Sequence, residues 1–189
     1  MESLIHQITQ YATFSEADLD SVQSRFKHHQ FKSKEFILKE GQDSTQLHFI
    51  ITGLVRVFYL RDGKEITTYL SCDNGFVSAY SSFINQTKSA EFLQCLEDTE
   101  TYSIHFKDMQ ELYEMIPQWQ KIGRILSENM VNCFAERFFK IHSIPAKEKY
   151  LDFLNTADKK IIQRTPLIHI ASFLGITPES LSRIRKEIS

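Results

Sequence analysis

The chain has 189 residues, 42% of them hydrophobic and 12% aromatic, and a formal charge of −2. Its 15 Phe and 7 Tyr supply enough apolar surface to offset chain entropy, which excludes a wholly disordered protein. No apolar run approaches the roughly 18 residues that cross a bilayer, and Met1-Glu2-Ser3-Leu4-Ile5-His6 lacks the cationic start of a secretory signal, so the expected location is cytoplasmic, with no membrane partner.

Residues 1–28 are expected to be helical. Leu4, Ile5, Ile8 and Tyr11 share one face, and Ser15 can cap a second start ahead of Glu16 and Asp18. From Phe31 the period changes to short runs rich in β-branched and aromatic residues, at 36–38, 47–51, 54–59 and 66–70. Turn clusters separate them, among them Glu40-Gly41-Gln42-Asp43 and Asp73-Asn74-Gly75. Asp62-Gly63 between two such runs predicts a tight hairpin. Further strands are expected at 91–96 and 100–104, and this spacing implies an antiparallel sandwich or barrel. Cys72, Cys95 and Cys133 are too widely spaced for a zinc, iron–sulfur or redox set and read as core residues. The histidines do not indicate a haem site.

From Pro117 the pattern is helical as far as Ile144-Pro145, where proline disfavours the α conformation of its predecessor. Ile122, Ile125, Leu126, Asn129, Met130, Cys133, Phe134, Arg137, Phe138 and Ile141 fall on one face, and only Asn129 and Arg137 are not apolar. So long a stripe needs a long partner, either the chain's own β region or a second copy, and a polar Asn within a seam is a register device. The candidate dimer contacts are Ile122, Leu126, Asn129, Met130, Cys133 and Arg137.

Three more helical segments are expected, within 147–155, 166–174 and 178–188. In the last two, Thr165 and Thr177 are placed to cap helices that begin with Pro166 and Pro178. Gly175 can end the first helix in the left-handed region, and Ala171 allows a close crossing. Leu181 and Ile184 then face inward, leaving Glu179, Ser180, Ser182, Arg183, Arg185 and Lys186 for a partner. This is a helix-turn-helix with an exposed second helix, the arrangement that enters the DNA major groove. Charge agrees with it. Residues 137–189 hold 10 Lys+Arg against 5 Asp+Glu, so a +5 segment follows a −7 one within the −2 total.

The run from Phe36 to Val57, with Glu40-Gly41, Gly53 and the Asp62-Gly63-Lys64-Glu65 hairpin, resembles the start of the cyclic-nucleotide-binding β-roll of the Crp/Fnr regulators. The long helix resembles their dimerisation helix and the C-terminus their winged helix-turn-helix. The resemblance implies an α+β fold: an antiparallel double-stranded β-roll at 1–116, a dimerisation helix at 117–144, and a helix-turn-helix domain at 145–189 that stops at Ser189 without a complete wing. It implies a cytoplasmic homodimer that regulates transcription at a near-palindromic promoter site on double-stranded DNA, with RNA polymerase as a further partner, and no enzyme activity. Carried over by position, the base-reading residues are Pro178, Glu179 and Arg183, and Thr177, Ser180 and Lys186 are phosphate contacts. Glu can accept from a cytosine amino group and Arg can donate twice to guanine, whereas Pro178 has no side-chain donor.

In the family, a Glu binds the ribose hydroxyl of cyclic AMP and an Arg pairs with its phosphate, as a fork-shaped cation suits that anion. The aligned pocket here is Ser78, Ala79, Tyr80, Lys88, Ser89 and Ala90, with Ala79 in place of the Glu and Lys88 in place of the Arg. Cyclic AMP is therefore not the expected effector, and no metal or other cofactor is expected. The pocket either takes some other small molecule or is a relic. Two alternatives to the regulator stay open: a small-molecule-binding β-roll without DNA-binding activity, and a cupin-type metalloenzyme.

Overall fold

Two short helices, α1 (Glu2–Thr9) and α2 (Glu16–Arg25), open the chain in the computed structural model, which describes residues 1–188. The expected lack of a wing turns on Ser189, which lies outside the described residues. Ser15 caps α2 through a reciprocal pair: its hydroxyl accepts from the Asp18 N–H at 3.1 Å, and the Asp18 carboxylate accepts from the Ser15 N–H at 3.2 Å. The helix expected to reach residue 28 ends earlier. Phe26–Phe31 forms strand β1, paired antiparallel with β8 (Thr99–His105) from Phe26↔Ile104 to Phe31↔Thr99. Partner strand and buried Phe26 outweigh the local helical tendency, as sheet pairing commonly does.

The remaining strands are β2 (Phe36–Leu38), β3 (Gln46–Thr52), β4 (Leu54–Arg61), β5 (Lys64–Cys72), β6 (Phe76–Val77) and β7 (Phe92–Cys95), with helix α3 (Tyr80–Asn85) between the last two. They form two four-stranded antiparallel sheets, ordered β1-β8-β3-β6 and β2-β7-β4-β5. The hairpin between β4 and β5 turns at Asp62 (φ 50°) and Gly63 (φ 74°), the pair of left-handed residues a two-residue turn requires. Ile50, Val55, Val57, Val77, Ala79, Leu93 and Cys95 fill the space between the sheets.

Chain order then runs through α4 (Phe106–Met115), α5 (Pro117–Ser143), α6 (Ala146–Thr156), α7 (Lys159–Arg164), α8 (Leu167–Leu174) and α9 (Pro178–Ile188). Helices α4 and α7 were not among the expected elements. A second core joins α1, α2, the first sheet, α4 and the start of α5, and includes Leu4, Phe49, Ile104, Leu112, Trp119 and Ile122. Tyr150, Phe153, Ile170, Ala171, Leu174, Leu181 and Ile184 form a third core within α6, α8 and α9.

Helix α5 places the candidate dimer contacts in differing surroundings within the single chain. Ile122 is 1% exposed inside the chain's own core, with the half-buried Leu126 packed against that core. Arg137 turns to the carbonyls of Thr67 and Phe173 of its own chain. Met130 is half-buried, while Asn129 and Cys133 are exposed. Part of the stripe read from the sequence is thus covered by the chain's own domains, while its Asn129, Cys133, Phe134 and Phe138 stay exposed. With 3.6 residues per turn, Phe138 lies at the edge of that stripe next to Val131 and Ala135 of the far side, and Val131 and Phe138 are 65% and 68% exposed.

Candidate nucleic-acid interface

Helix α9 is built to present one polar face. The Thr177 hydroxyl accepts from the Ser180 N–H at 3.2 Å, capping the first turn next to Pro178. Leu181 and Ile184 are sealed in the third core, which turns Pro178, Glu179, Ser182, Arg183 and Lys186 outward along one open groove. Ser180 is half-buried, and Thr177 and Arg185 are exposed. Hydrogen bonds from its own backbone N–H and from Thr177 hold the Glu179 carboxyl below its ordinary range, so it is an acceptor at neutral pH. Gly175 ends α8 with φ 65°, the left-handed cap that lets the chain reverse into α9. Thr165 behaves otherwise than expected. It is buried with no partner for its hydroxyl, Pro166 takes the cap position, and α8 starts at Leu167.

Helix α8 lies on strand β5, so the helix-turn-helix is tied to the β-roll. The Ser172 hydroxyl accepts from the Thr67 N–H at 2.9 Å and donates to the Glu65 carbonyl at 3.0 Å, satisfying edge groups of β5. Arg56, 1% exposed, reaches across from β4. Its Nη1 donates to Glu65 at 2.7 Å and to His169 Nδ1 at 2.6 Å, its Nη2 donates to Gln94 at 2.9 Å, and the guanidinium lies over the Phe58 ring. Lys160 of α7 adds ion pairs to Asp73 at 2.6 Å and Glu97 at 2.7 Å. The contacts that His169, Ser172 and Lys160 make with the β-roll could not be read from the sequence, in which their members lie more than 60 residues apart.

Burial, and then the Arg56 cation, push the His169 imidazole down to about 4, with Glu65 acting in the opposite sense. It is neutral at pH 7 and accepts from Arg56. Below its ordinary value of 6.5 the unfolded chain takes up a proton that the docked histidine refuses. The stability present above that pH is therefore lost progressively as pH falls toward about 4. Buried His48, at about 3, acts in the same direction. We expect His169 to account for a loss of about 1 kcal/mol of unfolding free energy between pH 7 and pH 5, solvent screening at this half-buried ring reducing the full linkage value. His169→Asn, whose side-chain oxygen can accept in place of Nδ1 without titrating, should remove that part of the slope in urea titrations. An unchanged slope would clear the imidazole of this role.

The pocket candidates differ in exposure and in partners. Ser78, Ala79 and Ser89 are buried, whereas Lys88 and Ala90 are exposed. Ala79 is the N-cap residue of α3 and accepts from Ser44 through its carbonyl. Tyr80 lies instead along a cleft beside α5, its hydroxyl 2.9 Å from that of Ser127. The Lys88 ammonium donates to the Gly41 carbonyl at 3.3 Å, and the Ser89 hydroxyl exchanges hydrogen bonds with Glu91. Among the described residues no group of three or more His, Cys, Asp or Glu could hold a metal ion, and none of the helices is long and apolar enough to cross a membrane.

Residues 28–115 match the cyclic nucleotide-binding domain model. The whole arrangement superimposes on FixK2 from Bradyrhizobium japonicum with a TM-score of 0.77 at 15% identity, covering 86% of this chain and 84% of that one. It also matches a putative transcriptional regulator of the Crp/Fnr family from Eubacterium rectale, with a TM-score of 0.71, 18% identity, and coverage of 93% and 83%. The chain has the Crp/Fnr fold. The c-di-GMP-responsive global regulator CLP of Xanthomonas campestris is a further match, with a TM-score of 0.71, 15% identity, and coverage of 92% and 91%. No curated protein matches significantly in sequence. Within the Crp/Fnr fold, α8 and α9 occupy the helix-turn-helix, α5 is the long helix, and the six pocket candidates fall in the cyclic nucleotide-binding domain.

Proposed function

We propose that this Crp/Fnr-type chain is a homodimeric, sequence-specific DNA-binding regulator of transcription, acting in the cytoplasm with RNA polymerase as a further partner. Its parts are a sensor at 1–116, a dimerisation helix at 117–144 and a DNA-binding domain at 145–189. The observation that carries this reading is α9: its apolar side is sealed, its first turn is capped, and one open groove is lined by Pro178, Glu179, Ser182, Arg183 and Lys186. Arg183 and Glu179 read base edges, while Thr177, Ser180 and Lys186, with Arg185 and Ser182 beside them, engage the backbone. The exposed Val131 and Phe138 support pairing of α5 with its copy. Two α9 helices then lie about 34 Å apart on one DNA face.

The pocket residues do not fit cyclic AMP. The position that needs a carboxylate holds a buried Ala79 methyl, and the one that needs a guanidinium holds Lys88, already engaged by the Gly41 carbonyl. In this reading cyclic AMP is not the effector.

Sequencing genomic fragments retained by the immobilised protein tests the function. A recovered near-palindrome supports it, and fragments without a common sequence favour a ligand-binding module instead. On that site Arg183→Ala should cost about 1–3 kcal/mol and relax preference at one base pair. Lys186→Ala should weaken matched and random DNA alike and reduce the salt slope by about 1. Equal losses on both DNAs for Arg183→Ala would remove its base-reading role.

A further inference from the structure

A separate cleft of about 410 Å³ opens where β5, α5, α6 and α8 meet, within the size range of small-molecule sites. Most of its wall is apolar, from Tyr69, Phe153, Ile161, Phe173 and Leu174. Three cations line it too. Lys140 is paired, at 2.8 Å from Asp152 and 4.0 Å from Glu136, and these two are the cleft's only lining carboxylates. Among the described residues, the other two have no carboxylate within ion-pair distance. Lys149 is 9% exposed and its ammonium donates to the Ile141 carbonyl at 2.6 Å. Arg137 is half-buried and donates to the carbonyls of Phe173 and Thr67 at 2.9 to 3.2 Å. Burial disfavours the Arg137 cation, and carbonyl dipoles compensate a buried charge less well than an anion does.

We propose that this cleft binds a small amphipathic anion, an apolar chain or ring ending in a carboxylate, with the charged end at Arg137 and Lys149. The apolar wall accepts the body, and the two cations without counter-ions supply the complementary charge. The site is distinct from the six pocket candidates of the cyclic nucleotide-binding domain. Cys133, Arg137 and Lys140 face it from the side of α5 opposite Val131, Ala135 and Phe138, so a second copy packed on that apolar stripe leaves the cleft open. An occupant touches β5, α5 and the helix-turn-helix together, and so biases how α8 sits on β5 in proportion to its preference for one packing. Binding itself does not depend on the DNA-binding reading.

Calorimetric titration of the full chain with decanoate and with decan-1-ol tests this directly. Decanoate should bind one per chain and decanol at least about tenfold more weakly, since one charged hydrogen-bonded contact is worth that much. Arg137→Gln should cost decanoate about tenfold while leaving decanol unchanged. Because Arg137 also holds Phe173 and Thr67, a second variant avoids that contact. Thr156→Trp fills the cleft from an exposed position and should abolish binding of both probes with an unaltered circular dichroism spectrum. Equal affinities for decanoate and decanol, no decanoate binding at about 1 mM, or full affinity in folded Thr156→Trp would overturn the proposal.

Discussion

Phe138→Glu is expected to turn the protein into a folded monomer and to lower its affinity for a palindromic site by about 100-fold or more. Phe138 is 68% exposed, in ring contact with only His142, so the chain's own cores do not depend on it. In the proposed dimer Phe138 would lie on the paired face of α5 with Val131 and Ala135, and a carboxylate there would have to be desolvated without a partner. Binding at the second half-site then ceases to be intramolecular, and a gain of about 10²–10⁴ from linkage is lost. Sedimentation velocity and titration on a full palindrome against a single half-site check both parts. Affinity for the half-site should be unchanged. A variant that remains dimeric would place the dimer contact elsewhere on the chain.

Arg56→Ala should be the most damaging single change to the link between the two domains. The side chain is among the largest fully buried ones, and it ties β4 to Glu65 of β5, Gln94 of β7 and His169 of α8. Removing it leaves a cavity and strands the His169 and Gln94 acceptors, but Glu65 is 45% exposed and can rehydrate. The cost is therefore about 2–4 kcal/mol, at or below the usual range for breaking a buried pair. Arg56→Met restores volume without charge and should recover part of the unfolding free energy. Neither variant should hold α8 on β5, so exchange of the Thr67 amide, which donates to Ser172, should accelerate in both. Protection at Thr67 equal to the parent's would show that Arg56 contributes packing alone.

The coupling of Arg56 with His169 explains why acid should act on domain docking before it acts on DNA contact. His169 is the neutral acceptor of a buried cation. Among the base-reading candidates, Glu179 is held below the ordinary carboxylate range and so keeps its charge where a free carboxylate begins to protonate.

Much of the architecture was legible from local signals. The Asp62-Gly63 turn, the Thr177 cap, Gly175 at the end of α8 and the inward Leu181 and Ile184 are short-range features, each dictated by the backbone conformation or the period of one element. Where the sequence misled, a distant partner was the reason. Residues 26–28 left the helix because β8 pairs with them. Thr165 lost its capping role because the chain enters α8 one residue later, with the hydroxyl buried.

The α5 stripe shows the same division most clearly. Periodicity identified an apolar face that must be covered but said nothing of what covers it, because burial against one's own chain and against a second copy have the same pattern. Tertiary structure assigned Ile122 and Leu126 to the chain's own core and Arg137 to the carbonyls of β5 and α8, and left Val131 and Phe138 outside. The sequence alone thus determined most of the strands, the long helix, the helix-turn-helix and the polar face of α9, but not β1, α4 or α7. The contacts of Arg56 with His169, the cations of the cleft and the true outer face of α5 were decided only in three dimensions, since each depends on residues far apart in the chain meeting at hydrogen-bond distance.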